Sequence, residues 1–250
     1  MAQSAIVDQL IKRFNNAESI HKTYGSSLSK SLDGLFVEST KDAKPVSSTF
    51  LDYQFSLVKH IVDELAAADR DVIRESGEDI DAINFRDRVN VETREGTSSL
   101  KQTLGGIFGE EILNTLGLNG PIASDPVVLS RTLKSAYEIS LELKEMPKPT
   151  NSFMPKWEVG QLQGMLKGLS GKLGDAITKT NIEKKETQEA QIKRRELLSK
   201  ARNALISFDH LLENYARLVG NTELVSRIRP TGGRPKKNND TPAPPVNPVS

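Results

Sequence analysis

PKWEVGQLQGMLKGLSGKLGDAITKTNIEKKETQEAQIKRRELLSKARNALISFDHLLENYARLV, residues 155–219, decides the fold. Its first part carries Val159, Leu162, Leu166, Leu169, Leu173 and Ala176 at alternating steps of three and four, the seam of a helix that buries one face. Its last part repeats the pattern with Leu197, Ala201, Ala204, Phe208, Leu211, Tyr215 and Leu218. Between them Thr178 to Glu196 is polar, yet counting the same steps from Ala176 passes Thr180, Glu183, Thr187, Ala190 and Arg194 and lands on Leu197. A random join keeps such a frame about one time in seven. No Pro or Gly interrupts Asp175 to Val219. The reading is one helix from Pro155 to Val219, on the order of 90 Å long at 1.5 Å per residue. The alternative is two helices with a turn at Thr180-Asn181.

A helix so polar in its middle needs a partner of the same kind. Residues from Thr49 supply one. Leu51, Phe55, Val58, Ile61, Val62, Leu65 and Val72 form an apolar face, with Thr49 and Asp52 spaced as a capping box. From Asp69 to Glu95 the stripe thins among charges, with an interruption possible at Gly77. The two polar stretches are expected to lie antiparallel as an extended arm laced by ion pairs. Exposed pairs contribute only about 0–1 kcal/mol each, so the arm is expected to be the least stable region.

The remaining elements are helical too. Val7, Leu10, Phe14, Ala17, His21, Tyr24 and Leu28 form a seam, widened by Ile6, Ile11 and Ile20 and extended by Leu32, Leu35 and Phe36. Thr97-Ser98-Ser99 is expected to cap a further helix through Leu100, Leu104, Ile107, Phe108, Ile112, Leu113 and Leu116, stopped at Gly117. Asp125-Pro126 opens another, because Asp accepts free first-turn N–H groups and Pro has none to lose. Pro147 and Pro149 are expected to end it. Strand signals are nearly absent. The fold class is all-α: an elongated bundle of five to six helices, with residues 1–226 as one domain and 227–250 as a basic, then Pro-rich, disordered tail.

The composition narrows function by exclusion. The 250 residues contain no Cys and three His, leaving no disulfide, thiol nucleophile or Cys-based metal site. No apolar run approaches the roughly 18 residues of a spanning helix, and the first residues lack a signal-peptide pattern, so the expectation is a cytoplasmic protein with no membrane partner. The net charge of +1 hides five cations, Arg227, Arg229, Arg234, Lys236 and Lys237, without which the formal charge is −4. Gly233-Arg234-Pro235 approaches the Arg-Gly-Arg-Pro core of a minor-groove hook, with Gly232 where the first Arg would stand. These five residues are the candidate nucleic-acid contacts.

Chemistry-bearing patterns are sparse. Glu18 and His21 make one Glu-x-x-His pair, but a di-iron bundle needs two such pairs and two more acids. Gly105, Gly106 and Gly109 precede Glu110 and Glu111, which would repel a phosphate. Gly160, Gly164 and Gly168 recur at every fourth position, followed by Gly171 and Gly174. Each interior Gly costs about 1 kcal/mol against Ala, so the first three are assigned to helix contact, either with another helix of the chain or as a self-associating surface.

Three segments together, Phe108-Gly-Glu-Glu-Ile-Leu-Asn-Thr-Leu-Gly-Leu, Asp125-Pro126 and Ser226-Arg-Ile-Arg-Pro with Arg234-Pro235, resemble a group of uncharacterised all-helical bacterial proteins over residues 50–237. The resemblance implies a bacterial origin and a helical fold, and no activity.

The residues therefore point to a non-enzymatic structural or interaction protein without cofactor, catalytic residue or metal. It is expected to be a homo-oligomer or to bind a protein partner. The alternatives are a nucleic-acid-associated protein acting through the basic tail, and a ligand- or metal-binding bundle near Glu18, His21 and Tyr24.

Overall fold

The long helix exists without a break. The computed structural model describes residues 4–39, 47–150 and 156–228. In it α5 spans Val159–Leu218, and the turn at Thr180-Asn181 does not form. The other helices are α1 (Ala5–Ser39), α2 (Ser47–Phe108), α3 (Glu110–Thr115), α4 (Pro126–Leu141) and α6 (Thr222–Ile228). No strand occurs among the described residues. The described residues pack as two compact units, one from the part of the chain between 67 and 196 and one from residues before 67 together with those from 197 to 228. Both long helices contribute to each unit, which is why the apolar stripe of each has two strong ends and a polar middle.

In the first unit, Leu100, Leu104, Ile107 and Phe108 of α2 meet Ile112, Leu129, Leu133, Leu162, Leu166 and Leu173 in one buried cluster. Helix α2 runs through Thr97 instead of starting there. The buried Thr97 hydroxyl donates to its own helix, to the Thr93 carbonyl at 2.7 Å. Gly77 does not interrupt it either. The break comes at Gly109, whose φ of +80° is open to glycine and strained for other residues. Thr150 closes the end, its main-chain N–H (2.9 Å) and its hydroxyl (3.0 Å) both donating to the Ile107 carbonyl. At Gly117, φ +67°, the N–H of Leu118 donates to the Leu113 carbonyl (2.8 Å) and that of Gly117 to Asn114 (3.1 Å), the glycine-terminated cap expected there. Asp125 caps α4 as predicted, its Oδ1 accepting from the N–H groups of Val127 and Val128 at 2.8 and 2.9 Å. Helix α4 ends at Leu141, well before Pro147, and the amide of Gln163 donates to the Ser140 carbonyl at 2.9 Å.

In the second unit α1, the first turns of α2, the end of α5 and α6 share a core. Val7, Leu10, Phe14 and Ala17 are buried as the seam requires, whereas Ile6, Leu35 and Phe36 are exposed. On this part of α5 the buried apolar positions are Leu197, Ala201, Leu205, Phe208, Leu212 and Ala216. They follow steps of four, four and three, so Leu205 and Leu212 replace the predicted Ala204 and Leu211, and Leu218 is exposed. A straight helix has 3.6 residues per turn and drifts about 20° per heptad, which moves the buried face off a strict seven-residue frame. Helix α6 reaches Ile228, which is buried, so residues 227 and 228 belong to this helix.

Candidate functional site

The polar middles of α2 and α5 lie side by side in the first unit. Thr180 Oγ1 donates to the Ala82 carbonyl at 3.2 Å and Thr187 Oγ1 to the Glu75 carbonyl at 3.1 Å. Arg194 Nη1 meets Asp69 Oδ1 at 3.2 Å. As one number rises by seven the other falls by six or seven, so the pair is antiparallel, as predicted. The lacing differs from the expectation. Among the described residues of these two polar stretches, Arg194–Asp69 is the cross-helix ion pair, whereas Arg74–Glu75, Arg86–Asp87 and Lys185–Glu189 stay within one helix. A threonine hydroxyl is neutral and short enough to be buried between two backbones while donating to a carbonyl; a carboxylate has no proton to donate, and a lysine would bring a charge on a long side chain.

This interface gathers carboxylates. Glu75, Glu183 and Glu186 each place an oxygen within 4.8 Å of the others. Glu75 Oε2, Glu183 Oε2 and, one turn along α2, Asp79 Oδ1 are shut off from solvent without a hydrogen-bond partner. Arg74 engages the other oxygen of Glu75 at 2.7 Å. Hard oxygen donors of this kind suit Mg²⁺ or Ca²⁺, although three carboxylates fill only part of a shell of six or more. The sequence contains no spacing that singles these acids out. They become neighbours through the register of two helices some hundred residues apart in the chain.

The residues suggested around His21 do not converge. His21 Nε2 lies 3.0 Å from Asp52 Oδ1, and its ring stacks on Phe55 with centroids 4.4 Å apart. Asp52 thus faces α1 instead of closing a capping box. Glu18 pairs with Lys22 at 2.9 Å, and Tyr24 Oη accepts from Arg227 Nη1 at 2.7 Å. Each has a separate partner, the arrangement of side chains that hold a helix bundle together.

Gly160, Gly164 and Gly168 are exposed, and a Cβ on any of them would meet nothing within 4 Å. Among the described residues, no other helix closes on these three positions. The closest approach to a helical glycine is at Gly96, where a Cβ would sit 2.8 Å from Leu169 Cδ2, the end of a side chain that would have to move aside. Of the candidate nucleic-acid contacts, Arg227 is engaged by Tyr24 and by Glu223 at 2.6 Å. Arg229, Arg234, Lys236 and Lys237 lie outside the described residues.

The chain matches no protein-family model, no curated protein and no solved structure. No helix is long and apolar enough to cross a membrane among the residues described.

Proposed function

We propose that this is a non-enzymatic structural or interaction protein that associates with itself through helical surfaces. The observation that carries the reading is the exposed apolar and glycine surface of α5. Met165, Ile182, Ile192 and Ile206 are each about half exposed, and a Cβ on Gly160, Gly164, Gly168 or Gly171 would meet nothing within 4 Å among the described residues. Aliphatic side chains and thin, glycine-bare turns on a continuous helix offer surface and close approach to another helix. They also cost stability in a monomer, through solvated apolar area and through helix propensity. Protein partners of this kind need neither cofactor nor catalytic residue.

Light scattering across a concentration series tests the reading. The expected result is a mass that rises above 27.6 kDa per particle with concentration. A strict monomer at high micromolar concentration overturns it.

A further inference from the structure

In the second unit α1 and α5 run parallel near the start of α1 and leave a groove of about 200 Å³ between them. Ile6, Gln9 and Leu10 line it from α1, Leu205 from α5, and Arg13 and Arg202 stand over it. Leu10 and Leu205 are buried and form an apolar floor, whereas Ile6 is 53% exposed. Arg13 is taken by Asp209, to which its Nε and Nη2 both donate. Arg202 is exposed and has no hydrogen-bond or ion-pair partner among the described residues. The groove therefore offers room for an aliphatic side chain next to one uncommitted cation, and its complement is an exposed aliphatic residue that shares a helix face with a carboxylate.

The same chain carries such a face in its other unit. On α2, Gly77, Ile80, Asp81 and Asn84 occupy one side at i, i+3, i+4 and i+7, and all four are exposed. Ile80 is 58% exposed, and a Cβ on Gly77 would meet nothing within 4 Å. Asp81 has no partner among the described residues, and no cation lies within one turn of Ile80 in either direction. Other exposed aliphatic residues of the long helices have cationic neighbours: Ile182 is followed by Lys184 and Lys185, and Ile192 by Lys193, Arg194 and Arg195. Those would bring like charge to Arg202.

We infer that Ile80 of one copy inserts into the Ile6–Leu10–Leu205 groove of a second copy, with Asp81 pairing to Arg202. The inference rests on the self-association proposed above and adds a contact on other surfaces, the α1–α5 groove and the Ile80 face of α2. Groove and inserting face are different surfaces of one chain, so the contact is made either twice across a two-fold axis, or once per interface with a groove and an Ile80 left over for further copies in a ring or open chain.

Sedimentation velocity of the full chain tests it with Arg202→Glu, Asp81→Lys and their equimolar mixture. Each variant alone brings like charges together at the contact and is expected to weaken association by about tenfold or more. The mixture restores opposite charges at every contact and is expected to recover wild-type assembly. Both positions are exposed, and helical content by circular dichroism checks that each variant folds; Arg202→Gln and Asp81→Asn replace a variant that does not, with a smaller expected loss. Wild-type-like association of the variants overturns this contact while leaving self-association standing. Weakened variants that the mixture does not rescue overturn the pairing of Asp81 with Arg202. A monomeric wild type overturns both the contact and the function proposed.

Discussion

The hydroxyl of Thr187 on α5 reaches the main-chain carbonyl of Glu75 on α2 across 3.1 Å. Thr180 makes the equivalent contact to Ala82 seven residues earlier, and also bonds the Ala176 carbonyl of its own helix at 2.9 Å. Two helices whose facing positions are polar are thus held at a distance set by a hydroxyl. Thr180→Val keeps the shape and deletes the oxygen; the expected loss is about 1 kcal/mol in urea unfolding, the net worth of one buried hydrogen bond. Thr180→Leu adds volume where the backbones are close and is expected to cost about 1–3 kcal/mol.

Gly96 and Gly164 predict different responses to the same substitution. Gly96→Ala gains helix propensity but pushes Leu169 Cδ2 aside, so it should be less stabilising than Gly164→Ala by about 1 kcal/mol or more, with the difference narrowed in Gly96→Ala/Leu169→Val. Gly164→Ala meets no atom and should stabilise by about 1 kcal/mol through helix propensity. Thermal unfolding of the three variants beside the wild type reads the difference.

Glu183 has an oxygen that is buried and unpartnered, with Glu75 and Glu186 beside it. Removing its charge relieves like-charge repulsion, so Glu183→Gln in metal-free buffer is expected to raise stability by about 1 kcal/mol. Glu75→Gln should gain less, because Arg74 loses the closer of its two acidic partners and keeps only Asp71 at 3.8 Å. Denaturant midpoints decide; a midpoint that falls for Glu183→Gln would mean that the carboxylate is held by a favourable contact.

Burial, and secondarily the charge of Asp33, raises the Tyr215 phenol above its ordinary value of 10.0. The folded state therefore keeps this proton at a pH where the unfolded chain gives it up. Its contribution is fully present below about pH 10 and is lost as the pH climbs through the raised value. Tyr215→Phe should flatten that part of the alkaline stability profile and leave the profile below pH 9 parallel to wild type. Asp33→Asn should shift the onset less, since it removes the smaller cause. Stability measured at intervals from pH 8 to 11 checks both.

Much of this architecture is local and therefore legible in the chain. The frame carried from Ala176 to Leu197 through polar residues identifies α5, and Thr180 and Thr187, which keep that frame, are indeed buried. Asp125-Pro126 and Gly117 announce helix ends because caps are made by neighbouring residues. The failures are also physical. Thr97-Ser98-Ser99 looks like a cap, but a serine or threonine inside a helix can bond back to the carbonyl four residues earlier, and Thr97 does so. The glycine spacing at Gly160, Gly164 and Gly168 specifies a thin face and says nothing about what lies opposite.

What the sequence by itself determined is periodicity: which positions turn inward, where helices begin and stop, and that two polar stretches match in kind. The tertiary structure alone decided register. Which α2 residue faces which α5 residue depends on packing between segments about a hundred positions apart, and that packing brings Glu75 to Glu183 and Gly96 to Leu169. It also decided which cations remain uncommitted. Arg13 and Arg202 are equivalent by composition, and only the placement of Asp209 beside Arg13 leaves Arg202 open to a partner.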